Sequence, residues 1–456
     1  MAAEYDLDVL VIGGGGSGGF TAATTALKNG AKVGMVEAGR LGGLCILAGC
    51  MPSKSLLHDA ADLYKSGLSG REAYERVIAR KRGVVDFLAG NRVQAVEAKA
   101  AKGLLVYRGH ARFADPHTVE VDGRKISAAN LVIATGSAEI MVPVQGLEEA
   151  GYVFSDGLME LEQLPKSMAI LGGGTIAVEM SQYLIRMGVE THLIQRSSHL
   201  LSKEDPRIGK LLEESLSKEG GQVYTGTAIE RIEEGSQDKT IYFEHQGQAK
   251  QSTVEEILLA FGRKPNSEGL NLKAAGVETE KGAVKVDQQM CTNVPHIFAA
   301  GDVTGQKMVV NLAVAQGEIA GHNAAGGEPR EIDDSVLPWA IFTEPEVARV
   351  GLGKDECEQQ GLDFVEADYD LGGMGVARTY PEPPQGFMTM RAEKGSGRLL
   401  GADLVSPHAS LMIHQVALVM RLGGTAQAMA DLPYVHPCLA ELVNLCAFRL
   451  SKLIKR

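Results

Sequence analysis

The feature that most constrains this chain is a glycine-rich turn that occurs twice, each time between a short apolar run and a helical stretch. In the first copy, residues 8–12 read as a buried parallel strand. Gly13-Gly14-Gly15-Gly16-Ser17-Gly18-Gly19 follows, then a helix over 20–27 stopped by Asn29-Gly30, then a strand over 32–36 ending at Glu37. In the second, a strand over 168–171 leads into Gly172-Gly173-Gly174-Thr175-Ile176-Ala177, a helix over 178–187 stopped by Gly188, and a strand over 191–194. Each copy is a βαβ unit. Two copies imply two nucleotide sites, or an old duplication with one site lost.

Gly13, Gly15 and Gly18 satisfy G-x-G-x-x-G. The first glycine permits a tight turn, the second lets a pyrophosphate approach the backbone, and the third is expected to allow close helix–strand packing. Phosphates would then face the amides of a helix N-terminus. Glu37, at the end of the second strand, is placed to bind ribose hydroxyls. The fingerprint does not separate FAD from NAD.

At 456 residues the chain is too long for one ordinary domain and suggests about three, with 45% apolar residues to fill their cores. A net charge of -12 argues against a nucleic-acid surface, which needs a cationic face; the basic cluster 452–456 reads as a solvated end. No apolar run reaches the ~18 residues of a membrane span. The start, Met1 to Asp6, carries acid where a signal peptide carries basic residues. The expectation is a cytoplasmic protein without membrane or nucleic-acid partners. Residues 55–102 read as long helices, 104–127 alternate like strands, and Pro143 and Pro165 bracket a crossing between domains. From Val336 onward, strands precede helices over 411–422 and 440–453, as in a separate domain.

Six cysteines are too few for a disulfide scaffold, and only Cys45 and Cys50 lie close together in a suggestive setting. In a reducing compartment such a pair is catalytic or metal-binding rather than structural. The stretch reads Gly42-Gly43-Leu44-Cys45-Ile46-Leu47-Ala48-Gly49-Cys50-Met51-Pro52-Ser53-Lys54. Two thiols at this spacing close a small ring that opens and re-forms readily. The alternatives are two unreacted buried thiols, or a metal site; no His or further Cys lies at ligand spacing. Lys54 would supply positive charge near a reduced flavin.

With these residues in hand, the chain resembles the pyridine nucleotide–disulfide oxidoreductases, the family of dihydrolipoamide dehydrogenase, glutathione reductase and mercuric reductase. Its G-G-x-C, four residues, C-x-P-S-K motif is met by Gly42-Gly43, Cys45, Cys50 and Pro52-Ser53-Lys54, with Leu44 where threonine is usual. The resemblance runs from Asp8 to about Leu450. It implies an α/β fold of two nucleotide-binding Rossmann-like domains plus a C-terminal α+β dimerisation domain. The implied boundaries are 1–144 completed by 265–334 for FAD, 145–264 for NAD(P), and 335–456 for the dimer interface. It further implies that Gly13, Gly15, Gly18 and Glu37 hold FAD, helped by Thr135-Gly136 and by Gly301-Asp302, and that Gly262, in the recurrent segment Ala260-Phe261-Gly262-Arg263, is a further cofactor-binding residue. Cys50 would be the flavin-facing thiol, Cys45 the interchange thiol, and Glu179 the partner of Lys54. Tyr434-Val435-His436-Pro437-Cys438-Leu439-Ala440-Glu441 would supply the acid/base His436, oriented by Glu441 and reaching the disulfide of the other subunit of a homodimer. An imidazolium beside Cys45 favours the thiolate and returns a proton to a leaving thiol.

Tyr434 stands where dihydrolipoamide dehydrogenases usually carry a second histidine, and Cys438 where threonine follows His-Pro. In the second fingerprint, Gly172, Gly174 and Ala177 would hold the nicotinamide cofactor. Gln195-Arg196 replaces the acid usual in NAD sites; Arg196 either pairs with a 2′-phosphate or simply faces solvent, and Ser197, Ser198 and Lys203 are near enough in sequence to help. The expectation leans to NADP(H). The tail ends without vicinal cysteines, which sets mercuric reduction and a C-terminal redox relay aside. A dihydrolipoamide dehydrogenase-like activity, with a lipoyl protein as partner, ranks first, and NADPH-driven reduction of a small disulfide second. A flavoprotein transhydrogenase or a non-catalytic flavin-binding scaffold is the reading of another class; Cys45, Cys50, His436 and Glu441 together argue against it.

Overall fold

The computed structural model describes residues 5–68 and 70–454; Met1 to Glu4 and the Lys455-Arg456 end of the basic cluster lie outside them. The first sheet is built on the strand Leu7–Ile12. It pairs in parallel with Val33–Glu37 on one side and with Arg124–Ile133 on the other. Leu105–Arg108 extends the sheet beyond Val33–Glu37, and Ile297–Ala299, from far along the chain, lies parallel to the end of Arg124–Ile133. Leu7, Val9, Leu10, Val11 and Ile12 are all buried. A parallel strand covered on both faces has no reason to alternate, so a continuous apolar run is the correct signature.

Arg124–Ile133 changes partners along its length. Its first half continues antiparallel into Thr118–Val121 and Ala111–Asp115, and its second half joins the parallel set. One face of the sheet is covered by helices Ser17–Lys28 and Val310–Ala324, which share a core of Val9, Val11, Ala22, Ala26, Ala320 and Ala324. Their backbones touch: a Cβ on Gly317 would lie 2.2 Å from the Gly18 carbonyl oxygen, and one on Gly321 2.2 Å from that of Ala22. This corrects the role expected of Gly18. Its missing side chain faces the Ala313 carbonyl across the helix pair, at 3.0 Å, while Gly19, whose Cβ would fall 2.1 Å from the Gly13 oxygen, lets the helix close on the strand turn.

The second βαβ unit centres on Ser167–Leu171, in a four-stranded parallel sheet with Glu190–Ile194, Gln222–Tyr224 and Glu256–Leu259. A three-stranded antiparallel meander, Thr227–Glu234, Lys239–His245 and Gln248–Val254, was not anticipated. Between the two units, Ser137–Glu139 and Arg263–Pro265 pair as a ribbon. Its Arg263 guanidinium donates to Ser137 Oγ, the Ser137 carbonyl and Glu139. The ribbon's first strand precedes Pro143 and its second follows Pro165, so neither lies within the bracket expected from the prolines.

The last part of the chain is a five-stranded antiparallel sheet, in the order Trp339–Ile341, Glu346–Gly351, Leu399–Ser406, Phe387–Glu393, Phe364–Asp370, packed against helices Ala409–Arg421 and Glu441–Ile454. Helix Ala409–Arg421 buries Met412, Ile413 and Val416 on the sheet and leaves Leu411 and Leu418 mostly exposed, with Leu422 just beyond its end. No helix among the described residues is long and apolar enough to cross a membrane.

Candidate active site

The first glycine turn, Glu37, the Ala134-Thr135-Gly136 segment and Gly301-Asp302 all lie at the C-terminal ends of parallel strands in the first sheet. That edge is where ligands bind in open α/β sheets. Gly13 adopts a left-handed φ of +86°, and a Cβ there would meet the Ala134 carbonyl at 2.4 Å. The Gly15 amide donates to Glu37 Oε2 at 2.8 Å and the Gly39 amide to Oε1 at 3.0 Å, so the carboxylate is held while each oxygen keeps a free lone pair. Ser137 Oγ donates to Asp302 Oδ2 at 2.6 Å, and the Gly301 amide donates to Gln316 Oε1. Thr135 Oγ donates to the Asn266 carbonyl, which fixes the turn at Gly136.

The cysteine segment lies directly on this turn. Gly42 and Gly43 both have positive φ, the Gly42 amide donates to the Gly15 carbonyl, and a Cβ on Gly43 would fall 2.5 Å from the Gly16 Cα. Cys45 sits in the short helix Gly43–Leu47, and Cys50 opens the helix Cys50–Ser66. Both thiols are free and half-buried. The hydrogen bond from Cys45 holds the Cys50 thiol down at about 7, against the cost of burial, with help from the nearby Lys54 charge and from its own backbone amide at the helix start. The same hydrogen bond, with burial, pushes Cys45 well up. The hydrogen bond between the thiols, the Lys54 charge and the helix start thus favour ionisation of Cys50 over Cys45.

Lys54 follows Cys50 by one helical turn. Its Nζ donates to Glu179 Oε2 at 2.7 Å and sits 4.8 Å from the centre of the Phe342 ring. Glu179, buried on the helix Thr175–Arg186, also accepts from the Phe342 amide at 2.9 Å. Three distant stretches of chain thus meet at one ion pair.

In the second turn, Gly172 has φ of +127° and a Cβ would strike the Ala260 carbonyl at 2.3 Å, while a Cβ on Gly174 would meet nothing within 4 Å. Ala177 is fully buried under the helix, Gln195 packs against Gly173, and Gly262 keeps its left-handed turn beside Ile140. Arg196 is exposed and makes no hydrogen bond or ion pair among the described residues. At the other end of the chain, His436 Nδ1 and Glu441 Oε1 are 2.9 Å apart, and Glu441 Oε2 accepts from the Cys438 amide. These two bonds, the histidine's first, hold the Glu441 carboxyl below its usual range. The His436 side chain is 79% exposed and bonds to neither cysteine within the chain. Tyr434 is half-buried against the C-terminal core, with a hydroxyl that finds no partner among the described residues.

Two family models cover nearly everything described: pyridine nucleotide-disulphide oxidoreductase over residues 7–317, and its dimerisation domain over 337–446. The chain belongs to the pyridine nucleotide-disulphide oxidoreductases. A mercuric reductase of Staphylococcus aureus is 33% identical over 98% of this chain and 83% of its own length. A dihydrolipoyl dehydrogenase of Bacillus subtilis (strain 168) is 32% identical over 97% of both. Among solved structures, the Cu(II) complex of the HOCl-induced flavoprotein disulfide reductase RclA of Escherichia coli superposes with a TM-score of 0.86 at 28% identity, covering 98% of this chain and all of the other.

The oxidoreductases of this family depend on FAD and a pyridine nucleotide. Against that chemistry, sequence reasoning overlooked several residues that hold the site: Phe342, whose amide and ring position the Lys54–Glu179 pair; Ser137 and Gln316, which bind Asp302 and Gly301; and Arg92, beside the first turn. None of these residues carried a local signal that pointed to the dithiol.

Proposed function

We propose that this oxidoreductase exchanges electrons between a nicotinamide cofactor, FAD and a substrate dithiol/disulfide through Cys45 and Cys50, in the manner of dihydrolipoyl dehydrogenase. The observation that carries the reading is the placement of two free thiols on one segment packed against the nucleotide turn, with Cys50 at a helix start one turn from the Lys54–Glu179 pair. A helix N-terminus and a nearby lysine favour a reactive thiolate, which a merely structural pair has no need of. The residues fit FAD: the backbone is bare at Gly13 and Gly15, where a Cβ would collide with Ala134 or Glu37, and Glu37 and Asp302 carry carboxylates for ribose and ribityl hydroxyls. FAD, when bound, supplies the relay between nicotinamide and dithiol.

The chain's own residues do the rest. A substrate thiolate attacks Cys45 of the oxidised pair, the Cys45–Cys50 bond breaks, and Cys50 leaves as the thiolate its surroundings favour. The second substrate thiol attacks the mixed disulfide, releasing Cys45 and the oxidised product. One equivalent of NAD(P)⁺ takes the two electrons, leaving NAD(P)H and a proton. His436, oriented by Glu441, takes the proton of the attacking substrate thiol. Because His436 is exposed and makes no bond to its own dithiol, it serves the cysteines of a second copy. The apolar row Leu411, Leu418 and Leu422 supports such a homodimer.

A substrate panel tests the finer assignment. Dihydrolipoamide with NAD(P)⁺ is expected to turn over at least about tenfold faster than glutathione disulfide or Hg(II) with NADPH. A faster rate with either of the latter removes the lipoyl assignment and leaves the dithiol chemistry standing. For the cofactor, the free guanidinium of Arg196 supports NADP(H). Arg196→Glu is expected to cut kcat/KM for the NADP(H) form by roughly tenfold to a hundredfold, the worth of one charge-assisted contact, with little change for the NAD(H) form. Equal losses on both remove that role.

A further inference from the structure

Arg92 lies on the long helix Arg71–Ala100, which packs against the short helix carrying Cys45. Its Nη1 is 3.4 Å from the Gly15 carbonyl and 3.3 Å from that of Gly16, and its guanidinium carbon stands 4.3 Å from the centre of the Phe20 ring. The Gly15 carbonyl also accepts from Gly42, three residues before Cys45. Arg92 is therefore fixed over the point where the cysteine segment rests on the nucleotide turn.

Half-buried cations normally find a carboxylate. Arg92 has none among the described residues: its hydrogen bonds go to neutral carbonyls, and Cys45, on the neighbouring short helix, is an ionisable group near enough to act on it. The contrast with Lys54 is informative. Both cations favour charge on Cys45, but Lys54 is matched at 2.7 Å by Glu179. Lys54 also acts on Cys50, one helical turn before it. Beside the cysteine segment there are thus two cations, Lys54 matched by a carboxylate and Arg92 unmatched among the described residues.

We propose that Arg92 is a positioning cation for the interchange thiol, stabilising negative charge when it passes to Cys45 and drawing anionic thiols and disulfides toward that sulfur. The inference rests on the reading of Cys45 as the thiol that meets substrate. In the dithiol the negative charge is favoured on Cys50; Arg92 matters when exchange moves charge to Cys45, since the rate of exchange depends on how well each sulfur bears charge. It also selects among substrates, because an unpaired cation in a partly dry site raises the local concentration of anions.

The test compares two alkylating reagents of similar size, anionic iodoacetate and neutral iodoacetamide, on the dithiothreitol-reduced holoenzyme, with the modified cysteine located by peptide mass mapping. The expected result is modification at Cys45 with an iodoacetate-to-iodoacetamide rate ratio roughly threefold to tenfold above that of free cysteine. The excess should fade near 1 M salt. It should be lost in Arg92→Gln and retained in Arg92→Lys, both with a full complement of flavin. A purely structural arginine would slow both reagents alike. A Cys45 ratio equal to that of free cysteine in the unaltered protein overturns the proposal, whether or not Arg92→Gln folds. Modification confined to Cys50 overturns it together with the division of labour on which it rests.

Discussion

His436→Ala is expected to slow turnover with a disulfide or dithiol substrate by a factor on the order of 10²–10⁴, the worth of a positioned general acid/base. Reduction of the protein by the nicotinamide alone, followed by stopped-flow absorbance, should change far less, because no substrate thiol has to lose or gain a proton in that half of the cycle. Glu441→Gln should give a smaller loss of the same kind, since Glu441 orients the histidine without transferring the proton; the single amide oxygen can accept from the Cys438 amide or face His436 but not both, and it no longer carries the charge opposite the imidazole. The exposed position of His436 adds a test of assembly. A Cys45→Ser chain and a His436→Ala chain, each nearly inactive, are mixed and allowed to exchange subunits. If each site is built from two chains, the mixed dimer holds one site with both defects and one with neither, and activity returns in proportion to the mixed species. Verified mixed dimers that are folded, flavin-loaded and still inactive would rule out the shared site.

Loss of either sulfur of the pair should abolish disulfide turnover, and the two losses should differ in what remains. With Cys45 replaced by serine, Cys50 keeps a hydroxyl donor at the same place and still titrates near neutrality. With Cys45 replaced by alanine, the hydrogen bond that contributes most to lowering Cys50 is gone, and burial is left to act against Lys54. The Cys50 titration should then move up from about 7 toward the ordinary thiol range. Thiolate absorbance near 240 nm, or the long-wavelength band of a thiolate against the flavin, followed from pH 5 to 10, reads the midpoint. The band should be absent in Cys50→Ser and present in Cys45→Ser without any reductant. A midpoint that is the same in the alanine and serine variants would mean that Lys54 and the helix start, and not Cys45, set the acidity of Cys50.

What the sequence made legible follows physical rules with local signatures. The two glycine turns, the strands that feed them and the cysteine segment are all written within some thirty residues each, so pattern and chemistry coincide. The small-residue contact between Ser17–Lys28 and Val310–Ala324 is not local. Gly317 and Gly321 read as ordinary helix glycines until the backbone of the first helix is seen against them. Phe342 was hidden for a similar reason, because its amide meets Glu179 across 163 positions. Arg92 had no motif at all; a lone arginine on a polar helix is ordinarily solvated, and only its lack of a carboxylate in a half-buried place sets it apart. The meander Thr227–Glu234, Lys239–His245 and Gln248–Val254 is strongly polar, and its alternation is blurred by charged residues on the open face.

The placement of Ile297–Ala299 against Arg124–Ile133 also bears on how the chain is made. A ribosome adding ~5–20 residues per second leaves the earlier strand without this neighbour for roughly 10–30 s. Helix Val310–Ala324, which seals the same face, emerges later still. The sheet around Ser167–Leu171 draws all its strands from one uninterrupted stretch and is complete sooner. During synthesis the middle of the protein is therefore expected to close before its beginning does, with the apolar face of Ser17–Lys28 left open to chaperones in the interval.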